Sequence, residues 1–170
     1  MKSFAVCLLA GASLLLGACA SLPKPLRGEA VAITPTEART AGRTGLPVRW
    51  GGRIVETRPL ADRTCFDMIG SRLDAEGRPE HMTDQGNGRF IACKEGFYDP
   101  ALFLKNRELT ISGTIDGFED RRIGEYAYRM PRVAADVIYL WPQARPVDVR
   151  YPAPRPWPWW GWDWGPGWRW

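Results

Sequence analysis

Leu109-Thr110-Ile111-Ser112-Gly113-Thr114-Ile115 is the cleanest alternation in the chain. Apolar side chains fall at Leu109, Ile111 and Ile115 with polar ones between them. A period of two is the pattern of a strand with one face on a core. Upstream, Val48-Arg49-Trp50-Gly51-Gly52-Arg53-Ile54-Val55 repeats it, placing Val48, Trp50, Gly52 and Ile54 on one face and arginines on the other. Residues 64–73 read as a second strand running into the turn Asp74-Ala75-Glu76-Gly77-Arg78-Pro79. Residues 84–88 are a second turn, 89–93 a third strand and 133–141 the last. Asp116, Glu119 and Asp120 beside Arg121-Arg122 read as a solvated hairpin turn.

Between the third and fourth strands stands Asp99-Pro100-Ala101-Leu102-Phe103-Leu104. Aspartate before proline is a helix start, with Asp99 as cap and Pro100 at the first helical position. Five strands with a short helix in that place is the order of an OB-type barrel. Gly51-Gly52 and Gly113 fit positions where a strand bends to close a small barrel. The expected fold is mainly β: a five-stranded OB-like barrel with one short helix. An open meander is the alternative.

The N-terminus carries a different signal. Leu16-Gly17-Ala18-Cys19 follows a short apolar run from Phe4 and a positive Lys2. This run resembles the lipobox of bacterial lipoproteins, in which small residues admit the backbone to a signal peptidase and the cysteine thiol takes the lipid. The apolar run is too short to span a bilayer as a mature helix. The expectation is a signal peptide over residues 1–18, with a diacylglyceryl group and an amide-linked acyl chain on Cys19 and no other cofactor. A single acyl chain holds a protein only marginally, and stable anchoring takes more than one. Residue 20 is Ala rather than Asp, which by the same resemblance implies the outer membrane, with the body facing the periplasm. Residues 19–45, with Pro23, Pro25 and Pro35, read as a flexible tether with one helical turn near Pro35-Thr36-Glu37-Ala38. The barrel is expected over 46–142 and a low-complexity tail over 143–170.

Of the four cysteines, Cys7 leaves with the signal peptide and Cys19 is acylated, so Cys65 and Cys93 remain. An even pair in an oxidising compartment reads as a disulfide. Two free thiols or half of a metal site are the other options. The metal reading is weak, because the one histidine is His81 and no Cys-x-x-Cys spacing exists. The formal charge of +4 falls by one when Lys2 is removed. Such a balance suits anionic lipid, lipopolysaccharide or peptidoglycan and is too small to argue for nucleic acid.

The tail holds seven of nine tryptophans: Trp157, Trp159, Trp160, Trp162, Trp164, Trp168 and Trp170. Pro152, Pro154, Pro156 and Pro158 keep its approach extended. Indoles favour the bilayer interface, where ring and N–H are both satisfied, and they also stack on sugars or arginine. Contact with membrane or a partner, and folding back over the barrel, remain equal readings. His81, near Glu80 and Asp84, has no partner that would make it a catalyst, and no two carboxylates are placed across a cleft.

Several of these elements together resemble the Slp-type family of outer-membrane lipoproteins. They are the lipobox ending at Cys19, Val48-Arg49-Trp50-Gly51-Gly52-Arg53-Ile54, Arg89-Phe90-Ile91-Ala92, and Gly96-Phe97-Tyr98-Asp99-Pro100. The stretch from Leu109 to Gly117 and the closing Ile138-Tyr139-Leu140-Trp141 complete the series. Cys65, Cys93 and the extreme tail depart from the pattern. The resemblance implies an outer-membrane location and the fold, and it carries over no established enzymatic role, so no enzyme is expected. The function expected is a periplasmic binding or structural module of the envelope, in stress or starvation response. Its partners would be outer-membrane lipid, and peptidoglycan, lipopolysaccharide or an envelope protein. An envelope enzyme using His81, Asp84 or Asp99 on peptidoglycan or lipid is the competing class.

Overall fold

A computed structural model of the chain describes residues 21–80 and 86–143. Five strands form a closed barrel in the order β1-β2-β3-β5-β4. They are β1 (Pro47–Pro59), β2 (Arg63–Ser71), β3 (Arg89–Glu95), β4 (Glu108–Ile123) and β5 (Tyr126–Leu140). All neighbours pair antiparallel except β3 and β5, which meet in parallel over Ile91↔Arg132 to Cys93↔Ala134 and close the ring. This is the OB-like barrel expected from the strand order, and the meander is excluded.

The core follows the period of two. Leu109, Ile111 and Ile115 of β4 are fully buried with Val48, Trp50 and Ile54 of β1. Phe66 and Met68 of β2 and Phe90 of β3 join them in one cluster. The Trp50 and Phe90 rings meet edge-on at 5.2 Å, an arrangement that aligns positive ring edge with negative face.

The helix lies elsewhere than the Asp99-Pro100 signal indicated. Residues 99–103 make one turn, in which the Asp99 carbonyl accepts from the N–H groups of Leu102 and Phe103. Propagation stops there because Tyr98 and Phe103 both turn inward onto Phe66, at 5.7 and 5.2 Å between ring centroids. Asn106 then adopts a left-handed φ of 68°, which ends any right-handed continuation.

The one α-helix, α1 (Pro35–Ala41), precedes the barrel. Residues 21–45 are therefore no free tether. They begin with a short 3-10 turn, Lys24–Leu26, that buries Leu26 completely. They continue along β1, where Val31 N–H donates to Pro47 O at 2.8 Å. The segment ends in α1, whose Ala38 enters the barrel core. α1 thus plugs one end of the barrel, and Trp50 Nε1 donates to Ile33 O just ahead of it at 2.7 Å.

Thr34 starts α1 with a reciprocal cap. Its hydroxyl accepts from Glu37 N–H, and the Glu37 carboxylate accepts from Thr34 N–H at 2.7 Å. The backbone donor, and then the Thr34 hydroxyl, hold the Glu37 carboxyl below the ordinary carboxylate range. A carboxyl depressed on folding stabilises at pH above its unfolded value and loses that contribution as pH falls through the folded value. Thr34→Ala should lower the unfolding free energy by about 1 kcal/mol at neutral pH. Because the Thr34 backbone N–H that chiefly holds the carboxylate survives that substitution, the deficit should narrow only slightly as denaturation is measured below about pH 4. A deficit that vanished in acid would show that the hydroxyl acts only through the ionised carboxylate and not through Glu37 N–H.

The residues read as a solvated turn, from Asp116 to Arg122, are strand. β4 and β5 stay in register out to Ile123↔Tyr126 and turn at Gly124, whose φ is 62°. This arm has little core to bury, so cross-strand pairs hold it. Asp116 accepts from Arg132 at 3.0 Å, and the Arg129 guanidinium sits 4.8 Å from the Phe118 ring centre.

Candidate functional site

Opposite α1, the barrel is closed by residues 96–107, with Tyr98 and Phe103 as its stopper. Thr64 Oγ1 donates to Gly96 O at 3.0 Å and accepts from Tyr98 N–H. Thr57 donates to Phe103 O at 2.7 Å. Burial of the Tyr98 ring raises its phenol above the ordinary value. Arg107 ends the loop with a bifurcated reach: one nitrogen donates to Leu102 O at 3.3 Å and the other to Trp141 O at 3.0 Å.

Trp141 leads to a second buried group on the outside of the sheet. Its Nε1 donates to Thr110 Oγ1 at 2.9 Å, and Thr110 donates onward to Gly77 O at 2.6 Å. Thr110 is fully buried, although the period of two puts it on the polar face of β4. The cover comes from the turn at residues 74–79. Asp74 Oδ1 accepts there from the N–H groups of Glu76 and Arg78 at 2.9 Å. Gly77 closes the turn at a φ of 80°.

Leu22 and Leu26 lie against Gly77. Arg78 pairs with Glu108 at 2.8 Å, lies over the Trp141 ring at 5.6 Å and donates to Pro142 O at 3.2 Å. The first and last described segments of the chain therefore meet on one turn. Cys19 is three residues ahead of Leu22, and the tail begins just past Pro142.

Cys65 of β2 and Cys93 of β3 face each other across the ladder. They are joined as a disulfide with Cα atoms 4.1 Å apart. Asp99 is an exposed turn residue whose Oδ1 accepts from Ala101 N–H at 2.8 Å. Cys19, His81, Asp84 and the tail tryptophans from Trp157 to Trp170 lie outside the described residues. Among the described residues no group of three His, Cys, Asp or Glu could hold a metal. No described helix is long and apolar enough to cross a membrane.

A groove of about 450 Å³ runs beside the disulfide, lined by Arg63, Lys94, Glu95, Asp116 and Asp136. Much of its charge is already engaged. Arg63 pairs with Asp62 at 2.8 Å, Asp116 with Arg132, and Lys94 Nζ donates to Asp136 O at 2.7 Å. The hydrogen bond and charge of Arg63 hold the Asp62 carboxyl low.

A family model described as the outer membrane lipoprotein Slp family matches residues 16–168. The chain belongs to that family. Membership of the Slp family makes it an outer-membrane lipoprotein, and the match takes in the lipobox, the barrel and the tryptophan-rich end together. It is similar to an uncharacterized protein of Haemophilus influenzae, 31% identical over 74% of this chain and 70% of that one. It is also similar to outer membrane protein Slp of Escherichia coli K12, 28% identical over 85% of this chain and 78% of the relative. A third relative is the uncharacterized lipoprotein YeaY of the same organism, 28% identical over 72% and 65%. No solved structure matches.

Sequence reasoning missed Thr110, Gly77 and Arg78 as the organisers of this end. The available signal was the Asp-x-x-Gly turn at Asp74 to Gly77. It gives the turn and not the surface on which the turn lands.

Proposed function

We propose that this lipoprotein is held at the outer membrane by lipid on Cys19, faces the periplasm, and serves as a binding or structural module of the envelope. The observation that carries this reading is the meeting of the first and last described segments on one turn. Leu22 packs at Gly77, and Arg78 holds Pro142 O at 3.2 Å. The segments that continue to Cys19 and to the tryptophans of residues 157–170 therefore leave the described barrel from the same turn. The tail gives the anchor a second, weaker contact with the bilayer interface, or with peptidoglycan, lipopolysaccharide or an envelope protein. Indoles favour such a boundary because the ring is apolar and the N–H still finds an acceptor.

The binding reading is supported over the enzymatic one by the filled barrel interior and the engaged charges of the groove. Asp99, one of the three residues an enzyme would use, spends its carboxylate on its own turn. A role in stress or starvation response differs from this reading only in the conditions under which the module is present.

Deletion of residues 152–170 tests the tail. The truncated lipoprotein should be released from outer-membrane vesicles by milder detergent than the full chain, with its thermal midpoint unchanged. Loss of stability without easier release would mean that the tail covers the barrel. No change in either measurement would remove the tail from the reading.

A further inference from the structure

The loop that closes the barrel turns two of its large apolar side chains inward and leaves three outside. Tyr98 and Phe103 pack on Phe66, whereas Phe97, Leu102 and Leu104 are 73%, 61% and 51% exposed. Leu60, at the neighbouring β1–β2 turn, is 50% exposed. The two loops are held together, since Gly96 N–H donates to Asp62 O at 3.1 Å. A turn needs no leucine to form, and a cluster of large apolar groups in water marks a contact surface.

We propose that this rim is a lipid-docking surface, with Phe97, Leu102, Leu104 and Leu60 entering the interfacial layer of the membrane that holds the anchor. The proposal rests on acylation at Cys19. What selects lipid as the occupant is the length of chain between the lipid and the barrel. Cys19 is three residues from Leu22, a reach of at most about 10 Å when fully extended. Leu22 is seated at Gly77. From there direct contacts run through Thr110 and Trp141 to Arg107 and Leu102 O. A tether this short keeps the Gly77 face near the bilayer, and the contacts from that face reach the rim at Leu102.

The charges around the rim agree. Lys105, within the rim loop, is exposed, placed to meet anionic headgroups while its stem lies along apolar surface. Of the nearby acids, Asp62 is paired with Arg63, Asp99 is engaged in its turn, and exposed Glu95 lies opposite Arg63 across the β2–β3 ladder. The tip of the β4–β5 arm lies at the other end of β4, sixteen residues long. At about 3.3 Å per residue it is roughly 50 Å of strand away from the rim, so docking would orient the arm into the periplasm.

The test uses the full acylated lipoprotein in vesicles of phosphatidylethanolamine and phosphatidylglycerol. With Cys65 and Cys93 bonded and Cys19 acylated, a new cysteine is the free thiol of the mature chain. Leu102→Cys and, as a second position, Phe97→Cys each carry an environment-sensitive fluorophore. Glu125→Cys at the arm tip is the aqueous control. Docking predicts blue-shifted emission at 97 and 102, severalfold weaker iodide quenching than at 125, and quenching by a nitroxide placed shallowly on the lipid. Protein that floats with the vesicles while all three labels are equally open to iodide overturns docking and leaves the anchor standing, with the rim free for a protein. Protein that does not float overturns the anchor, and docking with it.

Discussion

Replacing Gly52 with valine should unfold the barrel, and Gly113→Val should do the same from the other side of the sheet. Both glycines fall on the inward face in the strand period, among Val48, Trp50 and Ile54 in one case and Leu109, Ile111 and Ile115 in the other. Neither has room for a side chain. A Cβ on Gly52 would meet the carbonyl oxygen of Ile69, with the Ile69 carbonyl carbon at 2.8 Å and Gly70 Cα at 3.0 Å. A Cβ on Gly113 would meet Ala134 O, with Ala135 Cα at 2.8 Å. The obstacles are backbone of the paired strand, so no rotamer change relieves them.

The geometry has a cause in closure. β1 pairs with β4 through its first half and with β2 through its second. Gly52 sits where both pairings overlap and the strand must bend. The β4–β5 register slips between Ser112 and Gly113, a bulge that turns β4 at the matching corner. Overpacking in a side-chain core costs about 1–3 kcal/mol because side chains yield. Against fixed backbone in a closed ring the cost should exceed about 4 kcal/mol, the range of diagnostic single substitutions. Gly52→Val and Gly113→Val are expected to lack the cooperative thermal transition of the parent chain. Gly96→Ala is the control, since a Cβ there meets nothing within 4 Å and only its φ of 93° resists. A folded Gly52→Val chain with parental stability would mean that the bend is placed elsewhere.

Those two glycines show which part of the fold was written locally. An inward glycine in an alternating strand is a residue that gives up core contacts, and backbone crossing is the reason for it. The strand cores were legible for the same kind of reason, because a half-buried strand forces the period of two onto the sequence. What was not legible depends on partners distant in the chain. Thr110 obeys the period and is nonetheless buried, because a turn more than thirty residues away and Trp141 cover it. Residues 116–123 lack a buried face and so resemble a turn, yet 117–123 pair with residues 126–132. The Asp99-Pro100 start is locally sound and fails because the loop is needed to plug the barrel with Tyr98 and Phe103. The true helix was signalled by Pro35-Thr36-Glu37-Ala38, and its seven residues exceed the single turn those residues suggested. Its length reflects the open barrel end it fills, with Ala38 in the core.

The same division applies to the site. Chemistry carried by a residue type in a local pattern, the lipobox cysteine and the indole-rich tail, stands out in the sequence. The meeting of Leu22 and Pro142 on one turn is a property of the closed barrel, because it needs β4 and β5 to bring residues 110 and 141 together.

Loss of the Cys65–Cys93 bond should be the second large effect, and its position says where the damage appears. The bond closes a loop of 28 residues, which in the chain-entropy account stabilises the folded state by about 3–4 kcal/mol. It lies outside the main core, in a small cluster with Ile91 and Met130 against which Tyr128 packs. Cys93 is also the last residue of the parallel β3–β5 pairing, three pairs long, that shuts the barrel. Every other seam is longer and antiparallel. The disulfide therefore ties β2 to the strand whose other edge has the least hydrogen bonding to hold it. The double variant Cys65→Ala/Cys93→Ala should lose about 3–4 kcal/mol of unfolding free energy in urea, and reduction of the parent chain should match it. Amide exchange should accelerate first at Ile91 to Cys93 and at Arg132 to Ala134, ahead of the β1–β4 ladder. A reduced chain with an unchanged urea midpoint would show that the seam holds without the bond. Uniform acceleration across all five strands would instead mean that the barrel opens only as a whole, and that closure is shared by every ladder rather than concentrated at its shortest one.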